Sequence, residues 1–181
     1  DNPLIDAALK FANDRGLPVV VLQTLENRYP YASARIHRFM LEASVALEAG
    51  LNTRKLRFVR YVRTSADMSP GAPGTLEAVT SFAAEAAAVF VDDIPLFVTR
   101  DYAVRLATNL NKPVFAVDAC CLVPMNALSD PLTTTPAFRK AHSPLRAQHV
   151  DTDLTQVASA NTYKGSLTVE TVAADALDDS S

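Results

Sequence analysis

A chain of 181 residues is long enough for one domain with a substantial buried core. Its formal net charge of −3 gives no general case for nucleic-acid binding, and no apolar run approaches the ~20 residues that a membrane helix needs. The amino end lacks the basic-then-apolar pattern of a secretory signal. The only cysteines, Cys120 and Cys121, are adjacent and so ill placed to bridge one another; they are expected to be free thiols in a reducing compartment. His37, His142 and His149 do not supply metal-ligand spacing around them, so no metal site is expected.

The predicted elements begin with a helix, capped by Asn2 or Asp1 with Pro3 in its first turn, running to about Arg15 and stopped by Gly16. Pro18 to Leu25 reads as a buried strand. A loop from Glu26 to Ala32 leads to Ser33, the expected N-cap of a long helix ending at Gly50, with Ile36, Phe39, Met40, Ala43 and Leu47 facing inward. Lys55 to Arg63 reads as a half-exposed edge strand in which Leu56, Phe58 and Val62 alternate with Arg57, Val59 and Tyr61. Pro70, Gly71, Pro73 and Gly74 mark a loop over Ser65 to Gly74. A helix from about Leu76 to Ala87 follows.

Ala88 to Pro124 carries the strongest fold signal. Ala88-Val89-Phe90-Val91 is a short apolar strand, Asp92-Asp93 an acidic turn, and Pro95 opens a helix that buries Val98, Tyr102, Leu106 and Leu110. A second apolar strand, Val114 to Val117, precedes Asp118 and a descent to Val123-Pro124. Continuous apolar strands joined by amphipathic helices are what a parallel sheet covered on both faces requires. The expected fold is therefore α/β: a doubly wound, Rossmann-like parallel sheet with helices on both faces. Such a sheet normally starts with a strand near its middle, whereas this chain opens on a helix. The expectation is a fragment lacking its first, central strand. Beyond Pro124 a short helical piece reaches about His142. Residues 143–181, with strand-like fragments around Leu167-Val169 and a terminal Asp178-Asp179-Ser180-Ser181, read as a polar connector following an α/β domain at 1–142.

Candidate chemistry is sparse. Gly16 and Gly50 end helices, Gly71 and Gly74 lie in a loop, and Gly165 lies in the tail; none follows a strand directly into a helix, which excludes a P-loop. No glycine-flanked serine elbow occurs either. Asp92-Asp93 and Asp118 stand at strand ends, as caps and turn formers or as holders of a polar ligand edge. Arg35, His37 and Arg38 start a helix, as a solvated first turn or as a face for a ligand or neighbouring domain. Asp101 and Arg105 have the spacing of an intrahelical ion pair. Basic residues from Arg28 to Arg63 crowd one segment and acidic ones crowd the tail. A solvated helix face and a charged sheet edge account for the basic run, the other reading being a docking surface for a domain or polyanion.

Tyr29-Pro30, then Arg35 and Phe39-Met40-Leu41-Glu42, resembles the second helix region of the photolyase and cryptochrome amino-terminal domain, with class II cyclobutane-dimer photolyases the most similar. Val117-Asp118 followed by Leu122-Val123-Pro124 resembles that domain's last strand and its exit, and Asp1-Asn2-Pro3 resembles the passage from its first strand to its first helix. The likeness spans roughly residues 1 to 142, in order and spacing. It implies that the whole protein is a deoxyribodipyrimidine photolyase, a carbon–carbon lyase that splits pyrimidine dimers with light, in cytoplasm, nucleoid or nucleus. FAD and damaged DNA would bind a carboxyl-terminal helical domain, the partner of this one, so no catalytic residue is assigned here.

What the resemblance leaves to these residues is an antenna chromophore, a deazaflavin or a folate. Leu25, Arg35, Met40, Asp93 and Asp118, at strand ends or helix starts, are its candidate contacts. Two other functions fit the same sequence: a cryptochrome-like photoreceptor that signals without repair, and a stand-alone nucleotide-binding or interaction module with no light chemistry.

Overall fold

The computed structural model describes residues 2–25, 31–63, 74–128, 132–150 and 158–166. Tyr29-Pro30, most of the two loops expected at 26–32 and 65–74, and the fragment around Leu167-Val169 lie outside the described residues. Helix and strand alternate as α1 (Pro3–Asn13), β1 (Val20–Leu25), α2 (Ala34–Thr53), β2 (Arg57–Val62), α3 (Thr75–Ala83), β3 (Val89–Asp92), α4 (Phe97–Asn109) and β4 (Val114–Val117). A 3-10 turn at Met125–Ala127 and a helix, α5 (Thr135–Val150), follow among the described residues. The chain is mixed α/β, and among the described residues its strands form two short parallel pairs. In one, β1 pairs β2 from Val20 with Arg57 to Leu25 with Val62; in the other, β3 pairs β4 from Val89 with Val114 to Asp92 with Val117.

Local chemistry explains where the helices start and stop. The Asn2 carboxamide accepts from the backbone N–H groups of Leu4 and Ile5, and Pro3 needs no partner at the first helical position. The exit of α1 places Gly16 at φ 64°, with its N–H on Asn13 and that of Leu17 on Ala12, a Schellman closure. Ser33 caps α2 through the N–H of Ile36. The same closure ends α2, but at Lys55 (φ 59°): its N–H reaches Asn52 and that of Leu56 reaches Leu51. α2 therefore runs past Gly50 to Thr53, because the apolar contact between Leu51 and Leu56 fixes the exit, both being buried. A lysine there costs about 1 kcal/mol of backbone strain that glycine would not incur.

Helices cover both faces of the strands. On one face Ile5 and Leu9 of α1 meet Leu51, Leu56 and Phe58, with Val19 and Val21 packed against them. Farther along α1, Phe11 meets the rings of Phe90 and Phe115 at 5.6 and 5.8 Å, and those two rings stack at 5.0 Å. On the other face Val79 and Ala83 of α3 join Leu106 of α4 and Leu110 at its C-cap, and Leu22 of β1 packs beside Val89, Val91 and Val114. Thus α1 crosses both strand pairs, and β1 reaches the cluster that covers β3 and β4.

The inward face of α2 differs from the expected one. Ile36, Phe39, Ala43 and Leu47 are exposed, Phe39 at 71%, and Met40 is half-buried. The buried side carries Ser44 and Leu51, with Leu41 and Glu48 half-buried. The reason is Arg60, which points inward from β2 in register with Phe58 and is only 4% exposed. It donates to Ser44 Oγ at 2.7 Å, to the Ser44 carbonyl at 3.2 Å and to Glu48 at 2.6 Å. A buried guanidinium needs acceptors, so the helix presents its polar stripe and leaves the apolar one outside. β2 is accordingly less exposed than an edge strand, with Phe58, Val59 and Arg60 all buried.

The carboxyl-terminal part also departs from expectation. α3 ends at Ala83, short of Ala87. α5 continues to Val150 with Pro144 inside it and no buried residue, spanning the expected boundary at 142. Residues 158–166 return to the α/β body. Asn13 Nδ2 donates to the Ala158 carbonyl, Asn13 Oδ1 accepts from Ala160 N–H, and the Ser159 N–H donates to the Arg54 carbonyl. Ser159 is 2% exposed, and Asn161 forms a parallel bridge with Pro18.

Candidate functional site

Parallel strands end together, so the two pairs define one carboxyl edge each. At the first, the Arg63 N–H donates to the carbonyl of Leu25, and Leu25 itself is buried. At the second, the Asp93 N–H donates to the Val117 carbonyl at 2.9 Å, which sets Asp93 beside the start of the Asp118 turn. Asp93 is half-buried, and its carboxylate accepts no hydrogen bond among the described residues. Neither it nor Asp92 caps the following helix: α4 begins after Leu96 with no side-chain cap, and Thr99 Oγ1 instead donates to the carbonyls of Ile94 and Leu96. Burial pushes the Asp92 carboxyl above its ordinary range.

Asp118 organises the descent from β4. Its Oδ1 accepts from the N–H groups of Cys120 and Cys121 at 3.0 and 2.9 Å, and its Oδ2 from Met125 N–H at 2.9 Å. Burial pushes its carboxyl up, but the backbone bonds from Met125, Cys121 and Cys120 and the Cys121 thiol outweigh that and hold it below the usual carboxylate range. The Cys121 thiol is pushed up in turn, by desolvation first and then by its hydrogen bond to Asp118 and the neighbouring charge. Both cysteines are free and exposed. Because the folded carboxyl titrates below its unfolded value, its contribution is present above about pH 4 and is lost as pH falls through the folded value. Asp118→Asn removes the acceptor for Met125 N–H. Thermal melts should show a loss of about 0.5–1 kcal/mol at pH 7, solvent screening included, that shrinks toward zero in strong acid.

Arg35 and Met40 sit on α2, Arg35 exposed in its first turn and Met40 half-buried. Five residues apart, they point about 140° from one another around the helix axis. The structure thus brings Asp93 and Asp118 to one edge and leaves Leu25 in the core of the other pair, with Arg35 and Met40 on different faces of α2. Among the described residues no group of three or more His, Cys, Asp or Glu is placed to hold a metal, and no helix is long and apolar enough to cross a membrane.

Sequence reasoning missed the Arg60–Ser44–Glu48 cluster. Its signal was present: an arginine at the inward register of a strand, and Ser44 four residues before Glu48 on the neighbouring helix. It also missed a cavity of about 460 Å³ at the opposite, amino-terminal end of β2, lined by Asn52, Lys55, Leu56, Arg57 and residues 162–165. Half of that wall comes from the returning tail segment, which no local pattern announces.

The arrangement defines an α/β protein with parallel strand pairs and an acidic carboxyl edge. No family model matches the chain, and no curated protein matches it.

Proposed function

We propose that this chain is the amino-terminal α/β domain of a light-dependent DNA-repair flavoprotein of the photolyase type. Its part is to carry or abut an antenna chromophore, while FAD and damaged DNA are bound by a helical domain outside these residues. The reading rests on the order and spacing of the residues from Asn2-Pro3 to Val123-Pro124 that resemble that domain.

One structural observation supports it above the others: β1–β2 and β3–β4 are two separate parallel pairs that share helices. α1 lies across both pairs on one face, and Leu22 ties β1 to the cluster on the other. Yet Val20 to Thr24 of β1 and Val89 to Val91 of β3 are only half-buried, whereas Phe58, Val59 and Arg60 in the middle of β2 are buried. Strands covered by helices on both faces are normally well buried. A parallel strand between β1 and β3 would bury them and join all the strands into one doubly wound sheet, with its switch point at that strand. In that sheet Asp93 and Asp118 lie at the carboxyl edge, where a deazaflavin or folate needs polar partners at its rim. Leu25, Arg35 and Met40 are not gathered at that edge, so the chromophore's polar contacts in this reading are Asp93 and Asp118.

The open edges make a prediction. Amides of β1 directed away from β2, and those of β3 directed away from β4, should exchange with solvent far faster than the paired amides one residue away. Residue-resolved hydrogen exchange on the 181-residue chain checks this. Uniform protection along β1 would remove the argument for an inserted strand.

The functional test uses protein expressed from the whole natural reading frame. Repair of dimer-containing DNA under blue light is expected. Flavin binding without repair would move the protein to the cryptochrome-like reading, and a product that binds no flavin would leave a module without light chemistry.

A further inference from the structure

The tail segment 158–166 is docked by bonds to Asn13 and Arg54, and its docking brings Thr162 to Gly165 against the exit of α2 and the start of β2. Three cationic residues line it: Lys55 and Arg57 from one segment and Lys164 from the other, more than a hundred positions away in sequence. All three are exposed, and among the described residues none has a carboxylate within ion-pair distance. Like charges gathered around one cavity repel unless an anion sits among them.

The wall is built. The Tyr163 ring lies over Gly165, where any Cβ would come within 2.5 Å of the phenol oxygen, and that hydroxyl donates to the Ser166 carbonyl at 2.8 Å. The backbone of Lys55 is held at φ 59° by the Schellman closure, which fixes where its side chain departs. Asn52 and Thr162 add neutral donors to the lining. Arg57 supplies a planar fork suited to two oxygens of one anion, and the lysines supply point charges.

We propose that this cavity binds a phosphate-bearing small molecule of about nucleotide size. A volume near 460 Å³ holds more than an isolated phosphate and falls in the range of small-molecule sites. The site lies at the amino-terminal end of β2, away from the Asp93–Asp118 edge, and does not depend on the function proposed above.

The test is calorimetric titration of the 181-residue chain at low salt with pyrophosphate and with adenosine 5′-monophosphate, adenosine serving as the uncharged control. Saturable one-to-one binding of the phosphates and none of adenosine is expected. Arg57→Gln and Lys164→Gln should each weaken binding by about tenfold or more, while Lys164→Arg and the distant Arg100→Gln stay within about twofold. Lys55→Gly should weaken binding as well and raise the melting temperature, which separates loss of the site from loss of the fold. Absence of saturable binding would overturn the proposal. Equal weakening by Arg100→Gln, or binding of heparin alone, would do the same by showing a diffuse charge effect.

Discussion

Glu48→Ala is expected to destabilise the protein by about 3 kcal/mol, because it removes a carboxylate held at 2.6 Å from a guanidinium that is 4% exposed. Arg60 keeps its bonds to Ser44, so the loss falls toward the lower end of what breaking a buried pair costs. Against a typical total of about 5–15 kcal/mol, that is a large share. Replacing both partners, with Arg60→Met and Glu48→Leu together, should bring the cost back below about 1.5 kcal/mol, since the buried guanidinium and this carboxylate are removed together. Urea unfolding of the two single variants and the double variant checks this as a thermodynamic cycle. Near-additive losses would mean that the two side chains act independently, and the orientation of α2 would need another cause.

The second large effect concerns Leu9, whose side chain is fully buried where α1 meets the exit of α2 and the start of β2. Leu9→Ala should cost about 3–4 kcal/mol through lost burial and the cavity left behind. Leu96→Ala, at a position 59% exposed, should stay within about 0.5 kcal/mol. The loss at Leu9 reaches further than its own contacts. α1 also positions Asp6, ion-paired to Arg54, and Asn13, which holds the tail through Ala158 and Ala160. Loosening α1 therefore loosens the wall of the amino-terminal cavity, and weaker pyrophosphate binding should accompany the lower unfolding midpoint.

Much of the element order was legible because its signals are local. Asn2 with Pro3, Gly16 and Ser33 each act on backbone groups a few residues away, and the apolar strands are bounded by polar turns. The inward positions of Leu106 in α4 and of Leu110 at its end followed from helical spacing alone. What misled was competition between two stripes on one helix. Ile36, Phe39, Ala43 and Leu47 form a regular apolar row, but the buried charge of Arg60 selects the row through Ser44 and Glu48. Gly50 looked like a stop signal, yet the closure at Lys55 is set by the Leu51–Leu56 contact, a tertiary fact.

The site was legible in part for the same reason. That Asp93 and Asp118 belong at strand ends follows from the apolar runs before them. That the Asp118 carboxylate would be taken up by three backbone amides does not, because Met125 is seven residues away and the turn between is irregular. The divergence of Arg35 and Met40 needed only helix arithmetic. The tail's return to Asn13 and Arg54 depends on contacts across the length of the chain, where sequence pattern carries no information.

The most direct measurement of the central claim is the absorption spectrum of the purified product of the whole natural reading frame, before and after denaturation. The account predicts flavin bands in the near-ultraviolet and blue, released on unfolding with the spectrum of free FAD. A colourless, folded, monodisperse product that takes up no added FAD would contradict it.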